Sequence, residues 1–190
     1  MAAQLAAEAH KGQTRKWGHK NDPYILHPMR VAGRVAIHRF ATEKMVAAAW
    51  LHDVLEDTKL TEKDLLFRGF GPVAILVTEL TNTSKGMNLC RSERKRIDRE
   101  RLKNVSWEAR LIKLVDRLDN IRDTNSDPET PKDFDTMYRQ ESLLLLDVLK
   151  GTDIELEAEL AIAIKGKPEA PRHDDGINRT AGGGSYFIVE

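Results

Sequence analysis

Along most of the chain apolar residues return every three or four positions, the spacing that gives a helix one packed face, and turn-forming residues separate the runs. The pattern predicts helices over 2–10, 29–40, 45–58, 61–67, 73–80, 91–104, 107–123, 134–150 and 154–165, and so an all-α domain. Pro28 suits the first turn of the second helix and leaves His27 at its N-terminal boundary. Thr61, with Asp64 three positions on, makes a capping-box variant, and Gly151 closes the helix over 134–150. Residues 154–165 alternate as a strand would. Their Glu, Ala and Leu content and the want of a partner strand favour helix. Residues 1–165 are expected to form one domain, and the Gly-, Pro- and charge-rich stretch 166–190 a flexible tail.

The stretch 45–58, MVAAAWLHDVLEDT, breaks from a simple apolar helix by delivering His52, Asp53, Glu56 and Asp57 in quick succession. Read as one continuous helix, at ~100° per residue it sets Glu56 ~40°, Asp53 ~100° and Asp57 ~140° from His52. Ala47, Leu51, Val54 and Leu55 then share the opposite arc. A run of acids is ordinarily a solvated surface. Here the other faces are apolar, and no Lys or Arg within the stretch balances three mutually repelling carboxylates. A bound cation explains the pattern economically.

The helix over 107–123 repeats the division. Asp116, Asp119, Asn120 and Asp123 gather on one side, with Leu111, Leu114, Leu118 and Ile121 on the other. Asp116 is flanked by core residues, so it is expected to be partly buried and to need a partner, which a metal would supply. The breaker-rich loop 10–28 carries Lys11, Arg15, Lys16, His19 and Lys20, a solvated loop or an anion clamp beside an acidic site. The Arg- and Lys-rich stretch 91–104 reads first as a solvated helix face, and second as a source of one or two cations for a bound phosphate.

Composition narrows the classes without choosing a chemistry. At 190 residues, 41% hydrophobic and 32% charged, the chain suits one ordinary globular domain. Thirty basic and thirty acidic residues cancel, which argues for neither nucleic-acid nor membrane binding. The single Cys90 excludes an internal disulfide, and no cysteine spacing suggests zinc. With no run as long as a membrane span and no signal-peptide order at the N-terminus, a cytoplasmic protein is expected.

His27, then His52-Asp53, then Asp116, each on or beside a helix, together resemble the H…HD…D ligand order of the HD-domain metal-dependent phosphohydrolases. AHKGQTRKWG, PYILHPMRVA, AAAWLHDVLEDT and LIKLVDRLDNIRD are similar to motifs of the hydrolase domain of the RelA/SpoT alarmone enzymes. In length the chain is nearest the small stand-alone hydrolases of that family. Val115 and Asp119 depart from it, standing where the family often has Ala and His or Tyr, and the tail has no counterpart. The resemblance covers residues 2–150 and leaves no room for a synthetase domain. It implies an HD-domain helical bundle with one Mn²⁺ (Fe²⁺ or another divalent ion being possible) held by His27, His52, Asp53 and Asp116. It further implies cleavage of the 3′-pyrophosphate of ppGpp or pppGpp, with Glu56 and Asp57 as catalytic acids. Arg15, Lys16, Asn120 and Tyr138 would line the nucleotide site.

The residues agree with that chemistry. Two imidazoles and two carboxylates form a mixed N/O site suited to Mn²⁺ or Fe²⁺. Glu56 would orient or deprotonate water and Asp57 manage the leaving oxygen, although helix geometry allows the two roles to be exchanged. Arg15 and Lys16 would neutralise the pyrophosphate. The partner expected is a small nucleotide, with the oligomeric state left open. Three other readings remain: a phosphatase of another nucleotide such as NADPH, a non-catalytic nucleotide sensor, and a nucleic-acid role for 91–104.

Overall fold

Helix caps written into the sequence set where several elements begin. The computed structural model describes residues 1–16 and 21–166; the expected tail beyond Gly166, with His19 and Lys20 of the basic loop, lies outside them. In chain order the helices are α1 Ala2–Ala9, α2 Leu26–Ala36, α3 Glu43–Leu51, α4 Val54–Asp57, α5 Glu62–Phe67, α6 Gly71–Leu80, α7 Arg91–Leu102, α8 Trp107–Ser126, α9 Lys132–Leu149 and α10 Ile154–Lys165. Thr42, Ser106 and Asp153 each accept a hydrogen bond from a backbone N–H in the first turn of α3, α8 and α10. Thr61 and Asp64 complete a reciprocal capping box on α5. The described residues contain no strand beyond an isolated bridge between Thr14 and Pro23. None of these helices is long and apolar enough to cross a membrane.

Several boundaries differ from the sequence expectation, among them the end of α2 at Ala36 and of α8 at Ser126, and two of the differences bear on the site. Helix α2 begins at Leu26, so His27 lies inside its first turn rather than at its edge. The first four N–H groups of a helix lack intrahelical partners, so Pro28 in the third position forfeits nothing. The predicted helix over 45–58 is also two helices. The His52 ring nitrogen Nδ1 bonds the Ala49 carbonyl at 2.8 Å, the acceptor that a continuing helix would give to the Asp53 N–H. Asp53 then serves as the N-cap of α4 with φ −102° and ψ −5°.

Helix α3 packs on α1, α2 and α6, while α8 packs on α2, α6, α9 and α10 and touches α3. Met45, Ala48, Ala49 and Leu51 of α3 meet Leu111, Ile112, Leu114, Leu118 and Ile121 of α8 in one continuous core, all essentially without solvent exposure. Each large side chain so buried contributes roughly 1.5–3 kcal/mol. The polar side of α8 is not wet either: Lys113, Asp116, Arg117 and Asp123 are all buried. Groups buried on that side must be satisfied by other elements, and His27 and Arg30 of α2 with His52 after α3 meet them. That juxtaposition builds the site.

Candidate active site

His27 of α2, His52 after α3, Asp53 before α4 and Asp116 of α8 converge at one point. Donor atoms of His27, His52 and Asp53 lie within 4.8 Å of one another. His52 Nε2 is 2.9 Å from Asp53 Oδ2 and 3.7 Å from Asp116 Oδ1, and His27 Nε2 is 3.7 and 3.2 Å from the same two oxygens. Donors bound at about 2.1 Å to a common ion and ~90–110° apart are separated by roughly 3.0–3.4 Å, and these distances bracket that range.

The tautomers add a stronger argument. The Ala49 carbonyl only accepts, so His52 carries its proton on Nδ1. His27 Nδ1 lies 2.6 Å from Asp119 Oδ2 and donates to it. Both Nε2 atoms are left buried and without a hydrogen bond, their lone pairs turned toward carboxylate oxygens. Two lone pairs and two anions facing one another in a buried space require positive charge between them. The protonation energetics express the same demand. Burial works against a charge on His52, yet Asp53 and Asp116 overcome it and hold its pKa well above the ordinary value. Burial likewise opposes ionisation of Asp53, and His52 holds that carboxyl below its usual range. The donor set and its charge fit a divalent cation.

Further side chains fix these groups in place. Tyr24 donates to Asp53 Oδ2 at 2.5 Å, and Asn120 Nδ2 donates to Asp116 Oδ1 at 2.6 Å. Lys113 Nζ lies 2.8 Å from Asp116 Oδ2, the cation missing from 45–58 and supplied instead by α8. Burial disfavours the Lys113 ammonium, but Asp116, Asp53 and Glu56 more than compensate and raise its pKa. Arg30 bridges Asp119 and Asp123 with hydrogen bonds of 2.7–2.9 Å. The sequence reading missed Tyr24, Arg30 and Lys113 as parts of the site, and placed Asp119 on the polar side of its helix without giving it a role. Two of them were visible at helical spacing, Lys113 three residues before Asp116 and Asp119 three residues after it.

Glu56 and Asp57, adjacent in sequence, face different spaces. Glu56 lines an inner cavity of about 160 Å³ together with Asp53 and Asp116, and Asn82 donates to its carboxylate at 2.8 Å through Nδ2 and 3.2 Å through the backbone. Burial is the main cause that pushes its pKa above the ordinary value. Asp57 pairs with Lys85 at 2.6 Å and lines an outer cleft of about 480 Å³. Arg15, Lys16, Asn120 and Tyr138 line that cleft as well, with Phe134 stacked on Tyr138 at 5.4 Å. Tyr24, Asn120 and Tyr138 border both spaces. Asn21 sits in the left-handed region at φ 74° that asparagine tolerates and its N–H bonds the Arg15 carbonyl, while the Arg15 side chain bonds Asp123 at 2.9 Å and Asn120 at 2.7 Å. Arg15, Lys16, Asp53, Glu56, Asp57, Asp116, Asn120 and Tyr138 thus line two adjoining spaces, with His27 and His52 buried against Asp53 and Asp116.

Residues 2–141 match the HD domain family. A guanosine-3′,5′-bis(diphosphate) 3′-pyrophosphohydrolase named MESH1 from Xenopus tropicalis is 36% identical over 165 residues, covering 84% of this chain and 88% of the relative. The human protein of the same name is also 36% identical, with the same coverage. Among solved structures, one described as a metazoan ortholog of SpoT that hydrolyzes ppGpp superposes with a TM-score of 0.77 at 32% identity, covering 86% of this chain and 92% of that one.

Proposed function

The chain belongs to the HD-domain family and, within it, to the group of small SpoT-type hydrolases that these relatives represent; from that premise we propose that it is a metal-dependent (p)ppGpp 3′-pyrophosphohydrolase. The observation that carries the reading is the pair of buried imidazole Nε2 atoms, without hydrogen-bond partners, facing two carboxylates beside Glu56. His27, His52, Asp53 and Asp116 would hold the ion, and their mixed nitrogen and oxygen donors suit Mn²⁺, with Fe²⁺ next. A divalent ion there supplies Lewis-acid chemistry to a phosphoryl group and makes a neighbouring water more acidic.

The remaining steps belong to the chain's own side chains. Arg15 and Lys16, expected from the sequence to neutralise the scissile pyrophosphate, line the outer cleft and not the inner cavity. They are assigned instead to the 5′-phosphates, while Tyr138 with Phe134 offers a flat surface to the base. This directs the 3′-pyrophosphate toward the inner cavity. Water attacks the phosphorus nearest the sugar and forms a new P–O bond, while the bond to the 3′-oxygen breaks and its electron pair stays on that oxygen. Glu56, buried and with a raised pKa, takes the water proton. Asp57, held by the Lys85 ammonium on the nucleoside side, serves the 3′-oxygen as it acquires a proton. The products are GDP or GTP and pyrophosphate.

A substrate panel tests the assignment. With Mn²⁺ present, ppGpp and pppGpp should release pyrophosphate and NADPH should release far less orthophosphate. Orthophosphate from NADPH as the dominant product, or no pyrophosphate from either guanosine nucleotide, would overturn it.

A further inference from the structure

Helix α7 was expected mainly to present a solvated face, and much of it does: Arg96 pairs with Glu93, and Lys103 with Glu100, in exposed ion pairs. Its inward side behaves differently. Lys95 and Arg99 stand one helical turn apart on one face and line the inner cavity with Glu56 and Asp116. Neither makes a hydrogen bond or ion pair with any described residue, whereas other charged groups around them are provided for. Asp98 accepts from Ser84 at 2.7 Å and from its backbone N–H at 3.2 Å, and Glu141 accepts two bonds from Arg91 at 2.7 and 2.9 Å. Asp116 is held by Lys113 and Asn120.

Arg117 completes the wall. It lies over the Tyr138 ring at 4.5 Å and reaches Ser142 at 3.1 Å, but its Nε is buried without a partner. Burial lowers the Lys95 pKa, and the neighbouring Arg117 and Lys113 lower it further. Cations gathered in a half-closed space, with their acids already engaged, leave room for an anion from outside.

Resting on the function proposed above, we infer that Lys95, Arg99 and Arg117 form a pyrophosphate subsite that binds the outer phosphate of the scissile 3′-pyrophosphate and holds the pyrophosphate product. The volumes agree: about 480 Å³ in the outer cleft falls within the range of small-molecule sites, about 300–1,000 Å³, whereas about 160 Å³ in the inner cavity is too small for a nucleoside and suits a pair of phosphoryl groups. The subsite also assigns a direction to the substrate, with its 5′-phosphates at Arg15 and Lys16 and its 3′-pyrophosphate pointing toward α7. Lys95 and Arg99 are positioning residues for the phosphate beyond the reacting phosphorus.

Calorimetric titration of the metal-loaded full chain with inorganic pyrophosphate and with GDP separates the two spaces. Lys95→Gln should weaken pyrophosphate binding by about tenfold or more, the loss of one charge-assisted contact, while GDP affinity stays within about twofold. Lys95→Arg should recover most of the pyrophosphate affinity, and Arg99→Gln should repeat the loss independently should Lys95→Gln fold poorly. In turnover of ppGpp, these Gln variants should raise KM more than they lower kcat. Unchanged pyrophosphate affinity in both Gln variants would overturn the subsite, as would equal losses for GDP and pyrophosphate. Failure of the ppGpp assignment gives a different result: the wild-type chain would not turn over ppGpp, yet pyrophosphate binding would still depend on Lys95.

Discussion

At the scale of single residues, Asp119 shows how much of the site depends on groups that would touch no ion. Its carboxylate accepts from His27 Nδ1 at 2.6 Å and from Arg30 at 2.7 and 2.8 Å. That bond fixes the tautomer that leaves His27 Nε2 free to coordinate. Asp119→Ala should therefore lower metal affinity about 10–100-fold, measurable by competition with a chelating dye, while leaving the helical circular dichroism unchanged. Glu56→Gln should retain the metal and lose about 10²–10⁴ in kcat, which single-turnover assays would resolve; turnover equal to wild type would move proton transfer elsewhere. His27, His52, Asp53 and Asp116 were legible as a candidate cluster because their order along the chain is itself a pattern. Tyr24 and Arg30 were not, since their roles exist only once the loop before α2 reaches Asp53 and α2 packs on α8.

Among the elements, the break between α3 and α4 matters most. Glu56 and Asp57 stand ~100° apart on α4 and so face the inner and outer spaces, and the turn at His52 and Asp53 sets the direction in which that short helix carries them. Apolar periodicity could not reveal that turn, because Val54 and Leu55 keep the helical pattern across it. The other helices were readable from caps and spacing, including α10 despite its strand-like alternation. Asp153 gives a test at this level. It accepts from the Leu156 N–H at 2.9 Å and lies 3.1 Å from His38. Burial opposes its charge, but those two partners hold its pKa below the ordinary carboxylate value. A depressed folded pKa contributes stability above the unfolded value of about 3.9, lost as pH falls through the folded value. Asp153→Ala should cost about 1 kcal/mol at neutral pH. Urea melts should show that gap constant above about pH 5 and closing below about pH 4.

In the whole molecule, the core and the site share the same two helices, so stability and chemistry are coupled through α3 and α8. Leu118, 1% exposed, packs in the core on the side of α8 turned away from Asp116. Leu118→Ala should cost about 2–5 kcal/mol, read as a lower urea midpoint at unchanged m-value, and added Mn²⁺ should restore part of the loss because the ion binds only the folded chain. The all-helical class was legible from periodicity, and the buried polar side of α8 was not: amphipathic spacing describes a polar stripe identically whether it meets water or another polar stripe.

The central claim is that four side chains from α2, the α3–α4 turn and α8 share one divalent ion without which no pyrophosphate is released. The direct measurement strips the full chain of metal with chelator, returns Mn²⁺ in increments and follows GDP formation from ppGpp at each addition. Turnover should be absent at the start, rise in proportion to added ion and level off at one ion per chain, with His27→Ala remaining flat throughout. Undiminished turnover in the stripped protein, or a response to Mn²⁺ that survives loss of His27, would contradict the account.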